Sequence, residues 1–215
     1  MRFRDRVDAG RQLAPLVVGL GLQNPVVLAL PRGGVPVASV VASALGAPLE
    51  VFVARKVGAP GHRELGIGAI AEEGEAVADP DSLRYLRVSP EAFAELADQE
   101  RVELERRVRH YRGGRPLPLL EQRDVVLVDD GLATGVTAEA SLRALRGRHP
   151  RRLVLAVPVA AADTADRLRA LADEVITVQS PIDFRAVGQW YDDFSQTTDD
   201  EVTDLLTRSL SEHPR

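Results

Sequence analysis

Short apolar runs that alternate with helical stretches are the feature that most constrains the fold. Segments 26–30 and 125–128 contain no polar residue, and each is followed within ten residues by a helical stretch. Such runs are typical of strands buried on both faces of a parallel sheet, and the helices between them supply the crossovers. The predicted strands are 26–30, 49–54, 125–128, 153–159 and 175–178, and the predicted helices are 5–20, 36–45, 90–112, 137–148, 162–172 and 199–210. The pattern predicts the α/β class, with a central, mostly parallel sheet flanked by helices.

The last part of the chain differs in kind from the rest. After Pro181 the alternation ends, and aromatic residues concentrate at Phe184, Trp190, Tyr191 and Phe194. We therefore expect one domain over 1–215, with a core at about 24–180. A small C-terminal hood of about 181–215 would pack on it, and residues 1–20 could contribute to the hood.

Composition excludes several classes of protein. There is no cysteine, which rules out disulfide scaffolds, thiolate zinc sites and cysteine nucleophiles. The 27 basic and 32 acidic residues give a net charge of −5, which argues against general nucleic-acid binding. The first residues have no apolar segment of the kind that a secretory leader needs, and no run resembles a membrane span. We expect a cytoplasmic protein without membrane association.

The segment 125–137 carries the strongest functional signal. An apolar run ends in Asp129 and Asp130, and a small, hydroxyl-containing loop leads into a helix. Backbone N–H groups of such a loop can converge on a phosphate at the helix N-terminus. The loop has no lysine, which excludes a nucleoside-triphosphate P-loop. The candidate phosphate-binding residues are Gly131, Leu132, Ala133, Thr134, Gly135 and Thr137.

The two aspartates further limit which ligand the site can bind. Adjacent carboxylates repel a polyphosphate unless a divalent cation intervenes, but an ionised carboxylate accepts strong hydrogen bonds from vicinal hydroxyls. A monophosphate held a few ångströms from a diol indicates ribose 5-phosphate. Asp129 and Asp130 are thus candidates for holding the sugar.

This segment resembles the signature of the type I phosphoribosyltransferases, although Gly131 stands where that family more often has an aliphatic residue. The resemblance implies transfer of ribose 5-phosphate from 5-phosphoribosyl-1-pyrophosphate (PRPP) to a nitrogenous base, with release of pyrophosphate, in nucleotide salvage or related metabolism. It also implies a Mg²⁺ cofactor and a homodimer. Asp129 and Asp130 would be catalytic and are possible metal ligands, with no stronger direct ligand in the sequence.

The resemblance places pyrophosphate at two further segments. The loop after the first strand would bind it through Arg32, Gly33 and Gly34, often with a cis non-proline peptide bond, which would fall at Pro31–Arg32. A mobile loop would close over the site from 55–66, where Arg55 and Lys56 would contact pyrophosphate. Lys56 is the only lysine in the chain, which favours a catalytic role for it.

The acceptor site is expected in the hood. Trp190 or Tyr191 could stack on a flat base, and Asp183 could accept from a ring N–H. Alternatively, these aromatic rings only seal the hood to the sheet.

A regulatory protein that senses PRPP with little or no catalysis is the alternative function. Arginines in the range 101–115 could form a basic patch for such a role, although interspersed glutamates favour a solvated helix face.

Overall fold

The computed structural model describes residues 2–212, and its centre is a five-stranded parallel sheet. In chain order the strands are β1 (Val26–Ala29), β2 (Leu49–Val51), β3 (Ala54–Ala59), β4 (His62–Ala71), β5 (Val77–Ala78), β6 (Asp124–Val128), β7 (Arg152–Val159) and β8 (Glu174–Gln179). The helices are α1 (Arg6–Val18), α2 (Gly34–Leu45), α3 (Pro80–Leu86), α4 (Pro90–Arg112), α5 (Val136–Arg146), α6 (Ala162–Leu168) and α7 (Asp199–Glu212). The sheet order is β2-β1-β6-β7-β8 with every pairing parallel. The predicted α/β class is confirmed.

Both faces of the central sheet are covered, which explains why its strands are uninterrupted apolar runs. Every residue of β1 and β6 is buried. Val27 and Val126 face the core that includes α1, α2 and α7, whereas Leu28 and Leu127 face the core of α5 and α6. Successive side chains of a strand point to opposite faces, so a strand between two helical layers needs apolar residues at every position.

The segment 55–66 forms an antiparallel hairpin, and the prediction of a loop there was wrong. β3 pairs with β4, with Lys56 opposite Ala69, and the two strands meet at a turn around Gly61 (φ +72°). β5 completes a second, three-stranded sheet. The many glycines suggested a loop, but Gly68 lets the ring of Phe93 from α4 pack closely: a Cβ on Gly68 would lie 2.5 Å from that ring. Packing on α4 therefore overrides the weak strand propensity of the sequence.

Most helix bounds follow local signals. α4 begins after Ser89, whose side chain accepts the amide of Ala92 at 3.2 Å, and runs to Arg112 as predicted. The predicted helix 162–172 ends earlier, at Leu168, and the short α3 after the N-cap Asp79 was not predicted. Within residues 2–212, no helix combines the length and apolar character needed to cross a bilayer.

The start of the chain pairs with the segment after Pro181. The amide of Phe3 donates to the carbonyl of Trp190 at 2.8 Å, and the amide of Asp192 donates to the carbonyl of Phe3 at 2.8 Å. A short 3-10 helix, Val187–Trp190, precedes this contact. The two segments thus form one layer beside the carboxyl end of β6.

Candidate active site

Two loops meet at the carboxyl edge of the central sheet because β1 and β6 are neighbours, with Ala29 opposite Val128. A Cβ on Gly33 would lie 2.0 Å from Oδ2 of Asp130, and a Cβ on Gly34 would lie 2.7 Å from the carbonyl oxygen of Val128. Only glycine permits this approach. The peptide bond between Pro31 and Arg32 in this loop is cis, as the sequence resemblance implied.

The two aspartates of this edge are largely buried and differ in their partners. Oδ1 of Asp129 accepts the amide of Asp130 at 2.8 Å. Oδ2 of Asp130 accepts Nε of Arg6 at 2.8 Å, and only 13% of the Asp130 side chain is exposed. Burial and then the neighbouring Asp130 raise the pKa of Asp129 well above its ordinary value. Burial also raises the pKa of Asp130, against the opposing effect of Arg6.

In the loop that follows Asp130, carbonyl groups accept hydrogen bonds from the protein, whereas the amides stay open. Oγ1 of Thr164 donates to the carbonyl of Ala133 at 2.6 Å, and Nη2 of Arg167 donates to the carbonyl of Thr134 at 2.5 Å. Within the part of the chain that the structure describes, the amides of 134–137 have no protein acceptor. Gly135 adopts φ +68° immediately before α5. Open amides at a helix N-terminus favour an anion.

Gly131, the departure from the family pattern, lets the hood pack onto this loop. A Cβ at Gly131 would lie 2.6 Å from Cγ1 of Val187 and 3.1 Å from Cγ1 of Val159. Val187 of the hood occupies the space that a side chain at 131 would take. Leu132 is buried and exchanges backbone hydrogen bonds with Val159 and Ala161.

The two cationic side chains of the hairpin that were predicted to bind pyrophosphate contact other groups of the protein. Nε of Arg55 donates to Glu100 of α4 at 2.7 Å, and Nζ of Lys56 donates to the carbonyl of Glu64 at 2.7 Å. Among residues 2–212, neither side chain forms a hydrogen bond or ion pair with 31–34 or 129–135. Their contact with pyrophosphate stays a prediction.

Arg32 lies in a short chain of polar groups. Its Nη1 lies 3.8 Å from Oδ1 of Asp199, at the start of α7. The same oxygen accepts the hydroxyl of Tyr111 at 2.5 Å. Burial and this carboxylate raise the pKa of Tyr111 to about 12, so the phenol stays protonated and continues to donate. Asp199 is thereby shared between Arg32 and Tyr111.

The hood residues proposed for base binding have different surroundings. The ring of Tyr191 is 1% exposed, packs between Phe3 and Phe194, and its hydroxyl donates to the carbonyl of Asp130 at 2.6 Å. This burial favours the interpretation that Tyr191 seals the hood, because no face of its ring is open to a base. Trp190 is partly buried and stacks on Phe184, with centroids 6.3 Å apart.

A cavity lies between the phosphate-side loop and the hood. Its volume is about 570 Å³, and its lining includes Thr134, Asp163, Phe184 and Arg185. Asp183 is an exposed neighbour of this lining. The cavity offers an aromatic ring, a carboxylate and a guanidinium beside the loop.

Three residues of the site were missed from the sequence: Arg6, Thr164 and Arg167. Thr164 and Arg167 follow β7, the neighbour of β6, so their position after the next strand was a usable signal. Arg6 lies 124 positions from Asp130, and no local pattern marks it.

The carboxylates offer a limited donor set for a metal ion. Within residues 2–212, no group of three or more His, Asp or Glu side chains is arranged to hold one. Asp129 and Asp130 provide oxygen donors of the kind that Mg²⁺ prefers, but too few to complete six-fold coordination. The residues therefore fit an ion that takes most of its ligands from a substrate and water.

Comparisons with known proteins agree with this geometry. The model of the family described as phosphoribosyl transferase domain matches residues 6–194. The chain is 45% identical over 207 residues to "Putative phosphoribosyl transferase Rv0571c" of Mycobacterium tuberculosis H37Rv, covering 96% of this chain and 47% of the relative. The chain thus spans about half the length of the curated relatives it matches. The crystal structure of TT1426 from Thermus thermophilus is 48% identical with a TM-score of 0.81, covering 97% of this chain and 99% of that chain. The chain belongs to the phosphoribosyl transferase domain family.

Proposed function

We propose that this domain transfers ribose 5-phosphate from PRPP to a nitrogenous base and releases pyrophosphate. The observation that carries the proposal is the meeting of two loops at one sheet edge. Asp129 and Asp130 lie against Gly33 and Gly34, and the open amides of 134–137 follow them. Sugar, phosphate and pyrophosphate each have a chemically matched group within this edge.

Each part of PRPP is assigned to one element. The carboxylates of Asp129 and Asp130 accept the ribose hydroxyls, because ionised oxygens make the stronger hydrogen bonds. The amides of 134–137, with the hydroxyls of Thr134 and Thr137, hold the 5′-phosphate at the start of α5. The amide of Gly33, together with the guanidinium of Arg32, holds pyrophosphate. The amide of Gly34 donates to the carbonyl of Leu30 at 3.0 Å, so Gly34 contributes close approach rather than a donor.

The aspartates also act on the reaction itself. The bond between C1 and the pyrophosphate oxygen breaks, and pyrophosphate leaves with the electron pair. A ring nitrogen of the base attacks C1 and loses its proton to Asp183 or to solvent. Positive charge develops on the ribose during this exchange, and nearby carboxylates stabilise it. Because Asp129 and Asp130 are largely buried, their field is weakly screened by solvent.

Mg²⁺ would be held by Asp129 and Asp130 together with oxygens of the substrate. When bound, it would neutralise charge on the leaving pyrophosphate. Arg55 and Lys56 could add cationic contacts only after leaving Glu100 and the carbonyl of Glu64. We assign that step to movement of the hairpin 54–71.

The acceptor is assigned to the cavity beside the hood. Phe184 lines it and is backed by Trp190, so the Phe184 ring can present a flat apolar surface to a base. Asp183 can accept from a ring N–H. Tyr191 is left out of this assignment because it is buried.

Among the residues that the structure describes, the contacts of α4 do not favour the regulatory alternative. The exposed arginines of α4 that suggested a basic patch are paired with acidic residues. The pairs are Arg101 with Asp98, Arg106 and Arg107 with Glu103, and Arg109 with Glu105. Paired arginines on a helix are typical of a solvated face.

The test is release of pyrophosphate from PRPP and Mg²⁺ in the presence of a panel of purines, pyrimidines and other ring nitrogens. We expect release that depends on one class of acceptor, with the nucleotide product identified by mass spectrometry. Release without an acceptor would indicate hydrolysis instead. PRPP binding without release for any acceptor would support the sensor.

A further inference from the structure

We infer that Arg6 is a positioning residue for Asp130, holding its carboxylate oriented toward the sugar, and that the hood holds Arg6 in place. This inference rests on the proposed function, since it concerns how the same carboxylate is made ready for PRPP. It assigns a role to the beginning of α1, which lies far from the site in sequence.

The contact between the two side chains is direct and shielded. Nε of Arg6 donates to Oδ2 of Asp130 at 2.8 Å. Only 11% of the Arg6 side chain and 13% of the Asp130 side chain are exposed. The same Oδ2 lies against Gly33, where a Cβ would approach to 2.0 Å. The same Cβ would lie 3.2 Å from Nε of Arg6, so the carboxylate, the guanidinium and the pyrophosphate-side loop meet at one point.

The hood holds the guanidinium from the opposite side. Nη1 of Arg6 donates to the carbonyl of Ser195 at 2.7 Å. The guanidinium carbon lies 4.1 Å from the ring centroid of Phe194, a cation–π contact. Because the guanidinium of Arg6 is planar and holds several donors in a fixed fork, it can bind both groups at once in one geometry, whereas a lysine ammonium is a point charge on a flexible stem.

Asp130 itself is tied to the hood through its backbone. The hydroxyl of Tyr191 donates to the Asp130 carbonyl at 2.6 Å, and the ring of Tyr191 packs on Phe3 and Phe194. Side chain and backbone of Asp130 are therefore both held by the layer formed from the chain start and the hood.

The first experiment observes the position of the Asp130 carboxylate directly, without any substrate. Crystal structures of wild type and Arg6→Gln are compared. We expect the carboxylate to move or to take more than one conformation in Arg6→Gln. An unchanged, single position in Arg6→Gln would overturn the inference.

The second experiment measures binding of PRPP with Mg²⁺ by calorimetry. We expect Arg6→Gln to weaken affinity about 10- to 100-fold, as loss of a supporting partner does. Arg6→Lys keeps the charge and should recover part of the affinity. Equal binding by Arg6→Gln would overturn the inference, and so would tighter binding, which would show that Arg6 blocks the carboxylate.

A matched variant separates the Arg6 contact from general loosening of the hood. Arg2 donates to the carbonyl of Tyr191 at 2.7 Å and lies 3.3 Å from Asp192, but the structure gives it no contact with Asp130. Arg2→Gln should therefore bind PRPP as wild type does. An equal loss in Arg2→Gln would assign the effect to hood packing instead. If wild type fails to bind PRPP, the proposed function itself is refuted. If wild type and Arg6→Gln both bind PRPP normally, only the inference about Arg6 is refuted.

Discussion

Strand β6 has aspartates at both ends, and their surroundings differ. At the amino end, Asp124 is fully buried, accepts the amide of Gln23 at 2.7 Å and pairs with Arg151. At the carboxyl end, Asp129 and Asp130 lie side by side against a glycine loop, and Arg6 is the cation that reaches Asp130. The acids at the two ends of β6 thus have two kinds of surroundings: Asp124 is paired within the protein, and Asp129 and Asp130 lie side by side against a loop.

The difference separates a carboxylate with structural contacts from the pair that we propose to be functional. Asp124 ties together two loops at the base of the sheet, near Gln23 and Arg151, and its role ends with those contacts. The pair at the other end lies at the edge where parallel sheets bind ligands, beside amides that have no protein acceptor within the described residues. Burying two adjacent acids is costly, and such unfavourable placement is typical of functional sites.

Replacing Asp129 by asparagine should give the largest effect. We expect turnover to fall about 100- to 1,000-fold, the range for loss of one group that stabilises transition-state charge. The pKa of Asp129 is raised by burial, so its ionised form opposes folding at neutral pH. The free energy of unfolding at pH 7 should consequently not decrease. Steady-state kinetics and urea unfolding test both statements, and near-normal turnover would contradict the assignment.

Gly33→Ala should have the second-largest effect on catalysis. Gly33 has helical dihedrals (φ −61°, ψ −33°), so alanine fits the backbone, but its Cβ would lie 2.0 Å from the Asp130 carboxylate. Displacing that group by about 1 Å should lower kcat/KM about 100-fold. Gly19→Ala is the matched control, with similar dihedrals (φ −60°, ψ −14°) and its nearest atom at 3.4 Å. Similar kinetics for both variants would contradict the claim that a Cβ at Gly33 displaces the Asp130 carboxylate.

Asp124→Ala should change stability and leave catalysis alone. The amide of Gln23 and the guanidinium of Arg151 lose their acceptor, at a cost of about 1–2 kcal/mol because both groups can reach solvent. Urea unfolding gives the stability, and PRPP turnover below the transition gives the activity. A large loss of kcat in folded Asp124→Ala would end the distinction between the two ends of β6.

Arg167→Ala should give the smallest effect. Arg167 holds the carbonyl of Thr134 and so turns the loop amides toward the phosphate. We expect KM for PRPP to rise about two- to tenfold, the worth of one exposed hydrogen bond, with kcat nearly unchanged. Arg169→Ala serves as the control because Arg169 contacts Asp166 instead. A fall in kcat without a change in KM would contradict a binding role.

Much of the site could be predicted because its parts are contiguous in sequence. The acids, the small loop and the start of α5 follow one another in 125–137, and the glycine loop follows β1 directly. The hairpin 54–71 could not be predicted from the sequence, because its glycines form strands only when α4 packs over them. Tyr191 was ambiguous for a similar reason, since composition does not tell a stacking ring from a buried one.

The sequence by itself determined the parallel sheet, the cap of α4 and the position of the acid pair, because each depends on neighbouring residues and on strand or helix periodicity. Tertiary structure alone decided which groups surround the acids. Arg6 and Tyr191 reach Asp130 across 124 and 61 positions. The physical reason is that hydrogen bonds and ion pairs act over a few ångströms of space, and only the folded chain brings such distant positions within that range.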